Sequence, residues 1–168
     1  MFITYNGQKI ELDEGVDIGY CIERTTIKTR SHGEIVIPAR GITFVVISLP
    51  FINKSTMTEL LELGREFEQR AIDGFEAILV LPDTESEIEV PFFKIAHDNL
   101  GEFGAEFGVA INCNGLNKKL SKALFVISRD NILFYKEVCK DLEDGFNLER
   151  FYMQIGKALN IYTGTGCH

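Results

Sequence analysis

Thr43-Phe44-Val45-Val46-Ile47-Ser48-Leu49, closed by Pro50 and followed by Ser55-Thr56-Met57-Thr58-Glu59, is the stretch from which the fold can be read. Its first part is apolar or β-branched at nearly every position, the pattern of a strand buried on both faces. Pro50 carries no backbone donor and stops the ladder. Ser55–Glu59 then opens a helix over about 56–72. Thr56 and Glu59 have capping-box spacing, so the hydroxyl can accept from one unpaired N–H while the carboxylate returns to another. Leu60, Leu61, Leu63, Phe67 and Ala71 form an apolar stripe at roughly helical spacing. Gly74 ends the helix, and Glu76-Ala77-Ile78-Leu79-Val80-Leu81 is a second buried strand. A strand, a helix and a strand at these lengths make a parallel β-α-β unit.

The flanks add antiparallel pieces. Phe2–Tyr5 and Gln8–Leu12 surround Asn6-Gly7, a dipeptide suited to the positive φ values of a two-residue hairpin turn. Cys21–Thr29 and Glu34–Ile37, around Ser31-His32-Gly33, read as a second β pair. Beyond the central unit come an acidic turn at Pro82–Glu89, a short strand at Val90–Ile95 and a short helix at Asn99–Phe107 ended by Gly108. Cys113–Lys119 reads as loop. Ala123–Ile127 and Ile132–Val138 form a hairpin around Ser128-Arg129-Asp130-Asn131, and Leu148–Leu159 is a final helix with Phe151, Ile155 and Leu159 on one face. A βαβ half followed by a ββα half predicts one α/β domain over 1–168 with a thioredoxin-like central mixed sheet and flanking helices. Residues 1–12 are its added N-terminal hairpin and 163–168 a glycine-rich flexible tail.

Composition narrows the function. Hydrophobic residues make up 45% and charged residues 25% of the chain, as in an ordinary globular protein, and 13 Phe supply core volume in the absence of Trp. A formal charge of −8 argues against nucleic-acid binding. The densest basic group, Lys118-Lys119 with Lys122, reads as a solvated face. The start of the chain lacks a signal-peptide pattern, and the longest apolar run, Ile42–Ile52, is too short to span a bilayer. The expectation is a cytoplasmic protein with no membrane partner. Cys21, Cys113, Cys139 and Cys167 lie far apart with no C-x-x-C pair, so they predict free thiols and neither a zinc site nor a dithiol motif. His32 and His97 read as turn and helix-entry residues. No metal and no cofactor is expected.

Along nearly its whole length the chain resembles the thiol peroxidase branch of the peroxiredoxins. Ile3–Gly7 resembles that branch's opening strand and turn, and Val46-Ile47-Ser48-Leu49-Pro50 the strand leading to its active-site loop. Gly101-Glu102-Phe103-Gly104-Ala105-Glu106-Phe107-Gly108-Val109 is similar to its leucine-glutamate-phenylalanine-glycine-glutamate-alanine-tyrosine-glycine-valine stretch. Lys122–Ile127 is similar to its arginine-alanine-valine-phenylalanine-valine-leucine strand.

The resemblance implies a site made of a proline, a threonine three residues before a peroxidatic cysteine, and a distal arginine. Carried over without gaps from Pro50, the threonine position is Lys54 and the cysteine position Met57. Alignment through Phe67 moves the cysteine position to Leu60. Either register lacks a thiol. The arginine position is Lys122, which keeps the charge but not the planar two-donor fork. Asp83–Ile88 stands where the family carries its resolving cysteine. Peroxide reduction needs a thiolate to attack oxygen and a second thiol to regenerate it. A first-turn helix position favours a thiolate, but a thioether cannot ionise.

The reading is therefore a peroxiredoxin-like protein with a degenerate active site, a binding or regulatory homologue without catalysis. The alternative is a thiol-dependent peroxidase using a displaced cysteine, Cys113 in its loop or Cys167 beside His168. A third reading makes the chain a structural partner of an active peroxidase, and a homodimer fits the resemblance. Cys21 and Cys139, within strand patterns, are expected to be buried packing residues, Cys113 to be more exposed, and Lys122 to be a partly exposed strand-edge residue.

Overall fold

The computed structural model describes residues 1–30, 33–70, 73–82, 88–113, 115–116 and 118–161. The Thr43–Leu49 reading holds: β5 (Thr43–Ser48) is buried at every position. It lies third in a seven-stranded sheet ordered β11-β10-β5-β6-β7-β3-β4. Here β3 is Thr25–Thr29, β4 Glu34–Ile37, β6 Phe75–Val80, β7 Lys94–His97, β10 Ala123–Ile127 and β11 Leu133–Val138. β5, β6 and β7 run parallel, whereas β10 is antiparallel to both β5 and β11, and β3 to both β7 and β4. The fold class is the expected one, a mixed sheet between helices with an N-terminal hairpin.

The pleat sorts side chains into two cores. Val45, Ile47 and Leu49 face α1 (Lys54–Arg70) and α3 (Leu148–Ala158), where Leu60, Leu63, Phe67, Phe151 and Ile155 complete one apolar cluster. Phe44 and Val46 face the other way, toward Phe103 and Phe107 of α2 (Glu102–Phe107). A run buried on both faces thus reflects a central strand covered by helices on each side.

The N-terminal hairpin, β1 (Phe2–Tyr5) with β2 (Gln8–Glu11), turns at Asn6 and Gly7 with φ values of 48° and 75°. Its Ile3 and Ile10, with Leu12, pack on Ile111, Leu116 and Leu142 as a third small core. Ile111 belongs to a two-residue ladder, β8 (Ala110–Ile111) with β9 (Lys119–Leu120), which brackets the stretch read from sequence as loop and takes in its last residue, Lys119. Such short strands carry no periodicity to detect.

The hairpin is tied down at Thr4. Its N–H donates to the Lys140 carbonyl at 2.7 Å and its hydroxyl to Asp141 at 2.5 Å. The Thr4 hydroxyl and the Glu143 N–H hold the Asp141 carboxyl below its ordinary range. A depressed carboxyl contributes stability that is present above its unfolded pKa and is lost as pH falls through the folded value. Acid below about pH 4 should therefore loosen this attachment. Asp141→Asn is expected to flatten the acid limb of the thermal-midpoint profile, and an unchanged acid limb would refute it.

Several boundaries differ from the sequence reading. β7 begins at Lys94 rather than Val90, because Pro91 has no N–H and Phe92 takes φ 76°. α2 begins at Glu102, after Gly101 at φ 74°. Its end at Gly108 has a steric reason. Gly108 has φ 67°, and a methyl there would stand 2.5 Å from the Gly15 nitrogen. β3 starts at Thr25, leaving Cys21 outside it in an isolated bridge to Ile132. Ser31, His32, residues 83–87 of the acidic turn, and the 163–168 tail with Cys167 and His168 lie outside the described residues.

Candidate functional site

The C-terminal end of β5 delivers Leu49 and Pro50, both buried, to a loop of Phe51, Ile52 and Asn53. α1 then starts at Lys54, two residues before the predicted start. The cap is Asn53, not the expected Thr56/Glu59 box. Asn53 Oδ1 accepts from the Thr56 N–H and from the Thr56 hydroxyl, each at 2.8 Å, and the Asn53 carbonyl accepts from Met57 N–H at 3.0 Å. Asn serves at least as well as Thr at an N-cap, so the earlier residue takes the position.

With the cap satisfied by Asn53, the Glu59 carboxylate is free to turn inward. One oxygen accepts from Lys122 Nζ at 2.7 Å and the other from the Phe146 backbone N–H at 2.7 Å. The Lys122 side chain is only 3% exposed and that of Glu59 15%. Lys122 is therefore not the partly exposed edge residue expected. It immediately precedes β10, a strand paired on both sides, and its ammonium also lies 4.8 Å from the Phe146 ring centroid. Burial without this pairing would be costly, so the carboxylate and the ring together explain how a lysine stays inside.

The other sequence-predicted positions separate. Met57 is half-buried and packs on the apolar cluster that contains Leu49, Leu60, Cys139 and Phe146. Leu60, one turn further on, is wholly buried in that cluster and has the surroundings of a core side chain. Lys54 is exposed on the first turn, and its carbonyl accepts from the Thr58 hydroxyl at 3.0 Å. The helix start thus brings Met57, Glu59 and Lys122 into one neighbourhood and leaves Lys54 on the surface.

Cys139 lies beside this neighbourhood. Its N–H donates to the Lys122 carbonyl at 3.0 Å, and its thiol approaches the Gly145 carbonyl at 4.0 Å. Burial pushes the thiol up to about 12 against the opposing pull of Lys122, so it is protonated at neutral pH and a poor nucleophile. Cys113 is free and half-buried, packed against the third core with the N-terminal hairpin. Cys21 departs from both expectations made for it: it is exposed, and it is disulfide-bonded.

Glu59, Phe146 and Cys139 were not read as neighbours of the site from sequence. The sole available signal was Glu59 at the helix start, which the capping-box pattern absorbed. Among the described residues no group of three or more His, Cys, Asp or Glu is placed to hold a metal ion. No described helix is long and apolar enough to cross a membrane.

Comparison with known proteins agrees with this architecture. The chain is 26% identical to the thiol peroxidase of Campylobacter jejuni, over 99% of this chain and 98% of that protein. No family model matches. A peroxiredoxin-like protein from Aquifex aeolicus superposes with a TM-score of 0.80 at 15% identity, covering 94% of this chain and 96% of the other. A thiol peroxidase from Chromobacterium violaceum gives 0.75 at 14% identity, covering 93% and 95%.

Proposed function

Because the chain is a thiol peroxidase homologue among the peroxiredoxin-like, thioredoxin-type proteins, we propose that it keeps that scaffold without the thiol chemistry, as a binding or regulatory homologue. The observation that carries this reading is the Lys122–Glu59 pair. The cation that the resemblance assigns to peroxide binding is already engaged by a carboxylate of the same chain. The adjoining helix position holds Met57, whose sulfur has no proton to lose.

A peroxide entering here would meet neither a thiolate nor, at Lys122, a cation without a carboxylate partner. The nearby thiol, Cys139, is protonated at neutral pH by reason of its burial. Catalysis through a displaced cysteine would have to use Cys113, Cys167 or the exposed, disulfide-bonded Cys21.

The test is turnover of hydrogen peroxide and of an alkyl peroxide by the purified chain, coupled to thioredoxin and its reductase. The expected result is a rate indistinguishable from the coupling enzymes alone. Sustained turnover that disappears in Cys21→Ser, Cys113→Ser or Cys167→Ser would overturn the proposal and establish a displaced-thiol peroxidase.

A further inference from the structure

A cavity of about 410 Å3, lined by neither Met57 nor Lys122, opens beyond the carboxyl ends of β6 and β7. Its apolar wall is formed by Leu81, Ala110, Ile111 and Leu120. Crevices at the carboxyl ends of parallel strands are where open α/β sheets commonly take ligands. The volume is in the range of small-molecule sites. Leu100, 68% exposed, stands at the rim as an apolar residue with little to bury it.

The polar side of the cavity is cationic. Lys118 and Lys119 line it, brought there by the β8–β9 ladder. Among the described residues neither ammonium has a carboxylate within ion-pair distance. In a chain of net charge −8, two adjacent unpaired lysines over an apolar wall are a local reversal of sign. The sequence reading of these lysines as a solvated face omitted the wall that the fold places beside them.

Asp98 also lines the cavity, but its carboxylate is committed to the start of α2. It accepts from Phe103 N–H at 3.1 Å and from Gly104 N–H at 2.8 Å. Burial holds its carboxyl above the usual range, with those same hydrogen bonds opposing. Its charge is thus partly balanced by the amides rather than presented to a ligand. Asn112 adds an amide to the lining.

We propose that this cavity binds a small organic anion, its carboxylate between Lys118 and Lys119 and its apolar body against Leu81, Ile111 and Leu120. The inference is independent of whether the chain reduces peroxide, since it uses none of the residues around Met57.

Isocaproate is a suitable probe because it joins a carboxylate to a branched apolar body. Isoamylamine, with a similar body and the opposite charge, is the control. Amide NMR titration at neutral pH is expected to give saturable shifts at Gly101, Ile111 and Leu120 with isocaproate and none with isoamylamine. Lys118→Gln with Lys119→Gln should weaken that binding by about tenfold or more, the effect of losing about 1.4 kcal/mol. The thermal midpoint should be unchanged, because these side chains have no ion-pair partners among the described residues. Absence of saturable shifts with isocaproate, equal shifts with the amine, or undiminished binding in the double variant would each overturn the proposal.

Discussion

Glu59→Ala is expected to lower the unfolding free energy by about 3–5 kcal/mol, the usual consequence of breaking a buried ion pair from one side. The reason is the ammonium left behind. Lys122 is nearly sealed from solvent, and Glu59 supplies its carboxylate partner at 2.7 Å. The Phe146 ring at 4.8 Å remains, but a cation–π contact offers only about 0.5–2 kcal/mol. The same substitution orphans the Phe146 N–H, which costs more where that amide is shielded from water.

Lys122→Met should cost less, because Glu59 keeps the Phe146 amide and is the more exposed partner. The double change Glu59→Ala with Lys122→Met should recover part of the loss, since no unpaired charge then stays buried. Urea denaturation of the four proteins forms the cycle. Additive losses would mean that the pair does not determine the energetics of this corner. The outcome also bears on the proposed function: strong coupling would show that the cation is held for structure.

How much of this was legible in sequence depends on the range of the interaction. Thr43–Leu49 announced itself because each of its residues is enclosed, and enclosure by helices on two faces leaves an apolar signature in the strand itself. The Asn6-Gly7 hairpin was equally local. Lys122 was misread because its burial comes from a partner 63 residues away and from the strands on either side of β10. A lysine at the head of a strand looks the same in sequence whether it meets water or a buried carboxylate. Glu59 was credited with a local task that Asn53 performs. Cys21 was placed in a strand because its neighbours alternate, whereas the ladder begins only at Thr25. The lysines of the β8–β9 ladder raised no suspicion because the apolar wall they face includes Leu81, from a distant part of the chain.

Phe67→Ala is expected to be comparably damaging, at about 3–5 kcal/mol. Phe67 lies one face of α1 away from solvent and is 1% exposed. Four rings surround it: Phe75 at 5.0 Å, Phe92 at 5.8 Å, and Phe93 and Phe151 each at 6.0 Å between centroids. Their separations and tilts suit edge-on aromatic contacts, which add to the simple transfer energy. Large rings anchored on different elements cannot all close around an alanine, so much of the void should persist. Phe92 provides the internal comparison. It is 45% exposed and holds φ 76°, a conformation unfavourable for a side chain with a Cβ. Phe92→Gly would lose one ring contact but relieve that backbone conformation, so its net effect should be small. Urea midpoints for the two variants should therefore differ widely although both remove a phenylalanine from the same cluster. Similar losses would mean that aromatic contact, rather than enclosure, sets the stability of α1 on the sheet.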